Sequence, residues 1–100
     1  MKTVCDNVAA EELFLYAINS STIYQCSIKP LIANYRKKIS KNQYDEQKAV
    51  KGFENIAKIA AMHYEKEFLL KKYYTVFNAE TRREAARFML EYFEDEIWEG

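Results

Sequence analysis

The chain carries a single histidine, the side chain best suited to exchange a proton near neutral pH. Glu67 follows His63 by four residues, so on a helix its carboxylate would lie one turn away and could orient the imidazole ring. Catalysis would also require a nucleophile or second carboxylate in the same pocket. A histidine beside an apolar stripe is more often a half-buried packing residue, so we expect that role for His63 and no enzymatic activity.

Metal and phosphate chemistry are disfavoured by residue counts and spacing. Zinc sites need three or four His or Cys ligands at regular spacing, whereas the chain offers only His63, Cys5 and Cys26, which are scattered along it. A di-metal helical bundle needs Glu-x-x-His pairs, but Ala60 stands three residues before the histidine. Glycine occurs only at Gly52 and Gly100, which excludes a glycine-rich phosphate loop. We expect no metal or cofactor and two free thiols.

Acidic side chains are concentrated at the end of the chain. Five carboxylates fall between positions 91 and 99, and on an amphipathic helix they would repel one another and face solvent. Such a row offers a basic surface several charge partners, so we predict that it binds a partner. The acidic patch is defined as Glu91, Glu94, Asp95 and Glu99.

Basic side chains are concentrated in the middle of the chain. Seven Lys and Arg residues lie between positions 27 and 51 against two acidic residues, with Tyr35 and Tyr44 interleaved. A surface with interleaved basic and aromatic side chains can bind along a phosphate backbone and stack on bases. Alternatively, these side chains are the solvated faces of two helices and the turn between them. The basic patch is defined as Arg36, Lys37, Lys38 and Lys41.

The two patches leave several modes of binding open, since the 15 basic and 15 acidic residues cancel in total. The acidic end could dock on the basic patch of the same molecule, join two copies, or bind a basic partner. Large apolar residues beyond the simplest core stripes either anchor an interface or fill gaps in a small core. These residues are Leu15, Tyr16, Tyr73, Tyr74 and Trp98.

Apolar spacing predicts four amphipathic helices. The first helix is capped by Asp6 or Asn7. It ends at Asn19, Ser20 and Ser21, which form a tight joint to an antiparallel second helix. The predicted stripe of the first helix is Ala10, Leu13, Phe14, Ala17 and Ile18. The second, 22–39, would bury Tyr24, Ile28, Leu31, Tyr35 and Ile39 or the stem of Lys38, with a kink or break at Pro30.

The second half of the chain shows the strongest periodicity. Asp45 caps a third helix, in which Gly52 should mark a close helix crossing. Its stripe comprises Ala49, Phe53, Ile56, Ala57, Ala60, Tyr64 and Phe68. The run 71–77 has strand-like composition but no partner strand, so we interpret it as a helix end and an ordered loop. Asn78 caps a last helix that buries Ala85, Phe88, Met89, Tyr92, Phe93 and Ile97.

These elements predict an all-α fold: one domain, residues 1–100, built as a compact bundle of about four helices around the third. No run approaches the roughly 20 apolar residues that span a bilayer. The first residues also lack the apolar core of a signal peptide. We therefore expect a protein of the bacterial cytoplasm that does not engage a membrane.

Residues spread over about three quarters of the chain carry a resemblance to a known family. The third helix contributes Tyr44-Asp45, Ala49, Phe53, Ala61, Tyr64 and Glu67-Phe68. Tyr24, Pro30, Asn34, Lys37 and Lys38 precede it, and Arg82 with Ala85 or Ala86 follows. This pattern resembles a family of short uncharacterised proteins of tailed bacteriophages and prophages. Asn42-Gln43 departs from it, because a Gly-Thr type turn is expected there.

The resemblance implies a helical fold and a phage setting, and it supplies no catalytic residues. Together with the charge patches it predicts an accessory protein that docks on a host or phage protein, with inhibition of a host defence complex as one task. Two alternatives stay open: a helical domain that binds nucleic acid through the basic region 29–51, and a structural or assembly component of the phage. A homo-oligomer is compatible with each.

Overall fold

In the computed structural model, residues 8–68 and 77–99 are described, Phe68 and Glu99 by their backbone alone. These residues form four helices and no strand, which confirms the all-α bundle. Helix α1 spans Val8–Asn19, α3 spans Glu46–Phe68 and α4 spans Ala79–Glu99. Helix α2 runs without interruption through Ser21–Ile23, the π-helical turn Tyr24–Ile28 and Lys29–Ser40. The predictions for Asp6, Asn7 and positions 71–76 lie outside the described residues.

The joint between α1 and α2 is a single residue, Ser20. Its hydroxyl accepts a hydrogen bond from the backbone N–H of Ile23 at 3.2 Å, which satisfies a donor at the helix start and confirms the predicted cap. The expected antiparallel pairing of these helices is wrong. Helix α1 packs chiefly against α3 and α4 and touches α2 mainly near the joint, at 21–28. The core stripe of α1 is confirmed: Ala10, Leu13 and Ala17 are buried, and Phe14 and Ile18 are partly buried.

Pro30 does not break α2, because a π-helical turn stands immediately before it. Proline lacks a backbone N–H, and its ring collides with the carbonyl four residues earlier in a regular α-helix. In the wider turn the N–H of Lys29 donates to the carbonyl of Tyr24, five residues back, and both residues keep helical φ and ψ. The extra residue shifts the buried face, so the buried positions are Ile23, Ile28, Ile32 and Tyr35. The predicted Tyr24, Leu31 and Ile39 are partly buried.

The end of α2 is closed by hydrogen bonds typical of a Schellman motif. Asn42 adopts a left-handed conformation with φ of 61°, and its N–H donates to the carbonyl of Ile39 at 3.0 Å. The N–H of Gln43 donates to the carbonyl of Lys38 at 2.7 Å. Asparagine tolerates this backbone better than most residues. Asn42 stands where a Gly-Thr type turn was expected, and it has the left-handed backbone that glycine adopts easily.

Side-chain caps start α3 and α4 where the sequence predicts them. Asp45 Oδ1 accepts from the N–H of Gln47 at 2.9 Å, and Asn78 Oδ1 accepts from the N–H of Thr81 at 2.8 Å. Arg82 Nη1 also donates to the carbonyl of Phe77 at 2.7 Å, and Phe77 is buried. The turn that leads into α4 is thus held by two hydrogen bonds, one accepted by the Phe77 carbonyl and one accepted by the Asn78 side chain.

Helices α3 and α4 make the largest interhelical contact and share the centre of the bundle, so α3 alone is not the centre. The predicted stripe of α3 is confirmed from Ala49 to Tyr64. On α4 the buried apolar side chains are Ala85, Ala86, Met89, Leu90, Phe93 and Ile97, and Thr81 is buried with them. The prediction that Tyr92 is buried is wrong: it is 60% exposed. The sequence of buried residues runs along positions 86, 89, 93 and 97, which leaves Tyr92 on the flank of that face.

Candidate protein-binding surface

The outer face of α4 combines exposed carboxylates with two exposed aromatic rings. Glu91, Glu94 and Asp95 are exposed as predicted, and the side chain of Glu99 lies outside the described residues. Tyr92 and Trp98 are 60% and 55% exposed. Because each helical residue turns about 100° from the one before, these side chains divide between the two sides of α4. A cleft lies on each side.

The first is the Tyr44–Trp98 cleft, an open groove between the start of α3 and the end of α4 with a volume of about 430 Å³. Val50 and Leu90 contribute apolar surface to it. Carboxylates dominate its charge, since Glu46, Glu91 and Glu94 face a single cation, Arg87. Arg87 Nη1 also bonds Glu84 Oε2 at 3.2 Å. The full lining is Tyr44, Glu46, Val50, Arg87, Leu90, Glu91, Glu94 and Trp98.

Aromatic contacts fix the wall of this cleft. The rings of Tyr44 and Trp98 meet edge to face with centroids 5.4 Å apart. Tyr44 also meets Tyr35 at 5.8 Å, and through that ring it is tied to the core. Burial raises the pKa of the Tyr44 hydroxyl, and the negative charges of Glu46, Glu94 and Asp45 raise it further. The cleft is thus a rigid aromatic surface in a negative field.

The second is the Tyr24–Tyr92 cleft, on the opposite side of α4. It is lined by Ile18, Tyr24, Tyr92, Phe93, Asp95 and Glu96. The ring of Tyr92 packs edge to face on Phe14 at 5.6 Å and on Phe93 at 4.9 Å. It is therefore held in place although most of its surface is exposed. The structure accordingly divides the predicted acidic patch between two grooves, with Asp95 in this one.

The predicted basic patch lies at the end of α2 and in the turn that follows. Arg36, Lys37 and Lys41 are exposed, and Lys38 is half-buried. Within the described residues the ion pairs are Arg83–Glu54 at 2.8 Å and Arg87–Glu84 at 3.2 Å. Neither pair joins the basic patch to the acidic patch, so the described part of one molecule does not contain the intramolecular docking that the sequence allowed.

His63 is exposed, so the prediction that it is half-buried is wrong. Glu67, which the sequence offered as its partner, accepts a hydrogen bond from the Tyr16 hydroxyl at 2.7 Å. Tyr64 donates in the same way to Glu12, and the rings of Tyr16 and Tyr64 meet edge to face at 5.2 Å. Burial, and then the hydrogen bond to Glu67, raises the pKa of Tyr16 to about 12. These carboxylates tie α1 to α3.

No group of three or more His, Cys, Asp or Glu residues in the described ranges could hold a metal ion. Cys26 is exposed with a free thiol. Tyr73 and Tyr74, named above as surplus aromatic residues, fall outside the described residues, whereas Tyr16 is half-buried against Tyr64 and Leu15 is exposed. Among the described members of that group, Trp98 lines the Tyr44–Trp98 cleft, which also holds Glu91 and Glu94 of the acidic patch.

Sequence patterns missed several members of the Tyr44–Trp98 cleft. Val50 lies one turn after Glu46 on α3, whereas Arg87 and Leu90 belong to α4. The lining positions of α4 recur every three or four residues, at 87, 90, 91, 94 and 98, which is one helical face. That spacing was visible in the sequence. The contact with the start of α3 was not, because it depends on how the helices pair.

Comparison with known proteins returns no match: no family model, no curated protein and no solved structure resembles the chain significantly. Among the helices of the described residues, none combines the length and apolar character needed to cross a membrane. The functional argument therefore depends on the chemistry of the surface itself.

Proposed function

We propose that this chain is a small accessory protein of a phage or prophage that acts by binding another protein, with inhibition of a host defence complex as one task. The observation that carries the proposal is the pair of exposed aromatic rings, Tyr92 and Trp98, on the acidic helix α4. Tyrosine and tryptophan bury much area with few rotatable bonds, and they dominate the binding energy of protein interfaces. The phage setting rests on the family resemblance of the sequence.

Charge favours a protein partner over nucleic acid at α4. Glu91, Glu94 and Asp95 would repel a phosphate backbone at the surface where the aromatic rings are exposed. Near the basic patch, Tyr35 is buried, and Tyr44 packs against Trp98 beside Glu94. Tyr35 is therefore unavailable to stack on a base, and Tyr44 exposes only part of its ring.

The alternative function of nucleic-acid binding retains one supporting observation. Arg36, Lys37 and Lys41 are exposed, and in the described residues no carboxylate pairs with them. A phosphate backbone would find free cations there. A role in virion structure or assembly would use the same protein-binding surfaces, with a phage protein as the partner.

The test is an affinity capture from bacterial lysate, with and without phage infection and with and without nuclease. We expect a host or phage protein to be retained in stoichiometric amount and Tyr92→Ala to lower its retention at least about tenfold. Met62→Ala is the matched control, because Met62 is 56% exposed on α3 and lies away from both clefts of α4.

Two results would argue against the proposal. Equal loss in the Tyr92→Ala and Met62→Ala variants would contradict binding at α4. Retention that disappears with nuclease, and with Arg36→Glu and Lys37→Glu, would favour nucleic acid. If the captured protein belongs to a defence complex, the wild-type chain should raise phage plating on the defended host, and Tyr92→Ala should not.

A further inference from the structure

Two surfaces of opposite charge lie side by side on this molecule. The Tyr44–Trp98 cleft has three carboxylates on its rim, Glu46, Glu91 and Glu94. Its single cation, Arg87, already bonds Glu84. The basic patch carries four cations, and none of them forms an ion pair with a carboxylate of the described residues. The basic patch therefore carries the cations that could pair with the carboxylates of the cleft.

Tyr44 lies between these two surfaces. Lys41 precedes it by three residues, so their Cα atoms are within about 11 Å of each other by chain length alone. On the other side Tyr44 contacts Trp98, and it lies close enough to Glu94 to feel its charge. A positive and a negative region thus adjoin across the half-buried ring of Tyr44.

A surface with this layout is complementary to itself. In a two-fold contact the same patch is used by both molecules, so a positive region beside a negative one meets its opposite on the second copy. We propose that the Tyr44–Trp98 cleft binds a second copy of this chain, forming an isologous dimer in which each basic patch covers the acidic rim of the other cleft. Trp98 and Tyr44 lie near the two-fold axis.

The chemistry of the cleft suits this occupant. Lysine and arginine place an alkyl stem on apolar surface and a charged head on carboxylates, and they favour the face of a tryptophan ring. Val50 and Leu90 supply that apolar surface, and Trp98 supplies the ring. The net charge of the chain is zero, so two copies approach without long-range repulsion.

This inference goes beyond the proposed function, because it concerns a different partner and assigns the cleft that Trp98 lines to a second copy, which leaves Tyr92 for the heterologous protein. The Tyr24–Tyr92 cleft on the other side of α4 stays open to the heterologous protein. Loss of the dimer and loss of that protein are therefore separable results, the first followed by sedimentation and the second by capture with Tyr92→Ala.

The test measures self-association by sedimentation equilibrium at low and high salt, together with the emission of Trp98, the only tryptophan of the chain. We expect a monomer–dimer equilibrium that weakens with salt and a blue shift of Trp98 emission as the dimer forms. Glu91→Lys with Glu94→Lys should weaken dimerisation at least about tenfold, and so should Arg36→Glu with Lys37→Glu. Asp95→Lys with Glu96→Lys is the matched control, since it makes the same charge change in the other cleft.

A mixing experiment then tests the pairing itself. Each charge-reversed variant alone opposes like charges at both contacts, whereas an equimolar mixture of the two restores opposite charges at both. We expect the mixture to form a heterodimer with an affinity within about threefold of the wild type. If a reversed variant does not fold, the milder variants Glu91→Gln with Glu94→Gln, and Trp98→Ala, still test the cleft, because each should weaken dimerisation of the protein on its own.

The proposal is overturned by a wild-type protein that stays monomeric over the accessible concentrations. It is also overturned by a dimer that the reversed charges leave intact, or by a mixture that stays monomeric. Oligomers that keep growing with concentration would indicate head-to-tail contact and not the two-fold contact proposed.

Discussion

The hydroxyl of Tyr35 occupies the place where a Cβ atom on Gly52 would stand. The two Cδ atoms of Leu31 lie 3.3 Å from the same point, so side chains of α2 fill the gap that glycine leaves on α3. Tyr35 is buried and held between the rings of Tyr44 and Phe53, with centroids 5.8 and 6.2 Å away. The predicted close approach at Gly52 is thus made by side chains.

Gly52→Ala tests this relationship. On an open helix the change should stabilise by about 1 kcal/mol, because alanine is the better helix former. Here the added methyl group collides with a ring that cannot move freely, and overpacking of this kind costs about 1–3 kcal/mol. We expect a net loss of about 1 kcal/mol in the free energy of unfolding, measured by urea denaturation.

A second substitution separates the steric cause from any other. Tyr35→Phe removes the hydroxyl and keeps the ring, and the bonds it loses are long, 3.4 Å to the Lys48 carbonyl and 3.5 Å to the Ala49 carbonyl. Gly52→Ala should therefore cost less in the Tyr35→Phe background than in the wild type. A Gly52→Ala protein as stable as the wild type would refute the steric argument.

Asn42 provides a stability test that does not involve packing, since it is exposed and has a left-handed backbone. Asn42→Gly should stabilise the fold by several tenths of a kcal/mol, because glycine adopts φ of 61° without a Cβ penalty. Asn42→Ala should destabilise it by about 1 kcal/mol. The comparison is made by thermal and urea unfolding, and the opposite order of the two variants would contradict the Schellman ending of α2.

The parts of the fold that the sequence predicted are those in which the helical period is regular. The stripe from Ala49 to Tyr64 follows an uninterrupted α-helix, so spacing alone identified its buried residues. In α2 Pro30 was visible, but the turn that accommodates it adds a residue to the repeat and changes which side chains face inward. Sequence spacing assumes a constant period, so it could not show where the offset falls.

The candidate surface was also predictable only in part. The exposure of Arg36, Lys37, Glu91 and Glu94 could be predicted, because charged side chains on an amphipathic helix face solvent. The clefts could not, since each needs a neighbouring helix at a particular depth. Tyr92 shows the limit: it follows Phe88 by four residues, as a core position would, yet it lies on the rim of the packed face.

Alkaline pH should unfold this protein through its tyrosines. Burial raises the pKa of Tyr16 and of Tyr35 to about 12, and it raises that of Tyr44 as well. An unfolded tyrosine titrates near 10, so between about pH 10 and 12 the folded state binds more protons than the unfolded state. The stability that these tyrosines contribute is therefore complete below about pH 10 and is lost as the pH rises through the folded pKa.

The measurement is the free energy of unfolding between pH 8 and 12, with tyrosinate absorbance recorded on the same samples. Tyr16→Phe and Tyr35→Phe should each make the alkaline loss less steep. Tyr92→Phe is the control, because Tyr92 is largely exposed. Equal effects of the three substitutions on the slope would contradict the assignment of the raised pKa values to Tyr16 and Tyr35.

The shifted face of α2 can be tested with two adjacent residues. Ile32 is buried, whereas Leu31, which a regular α-helix would place in the core stripe, is half-buried. Ile32→Ala should cost about 2–4 kcal/mol and Leu31→Ala at least about 1 kcal/mol less, because truncation costs most where no solvent can enter. Helix propensity opposes this order, since replacing isoleucine by alanine gains more than replacing leucine, so the expected difference is due to packing. Urea denaturation of both variants measures it, and a Leu31→Ala variant as unstable as Ile32→Ala would mean that α2 keeps a regular period through Pro30.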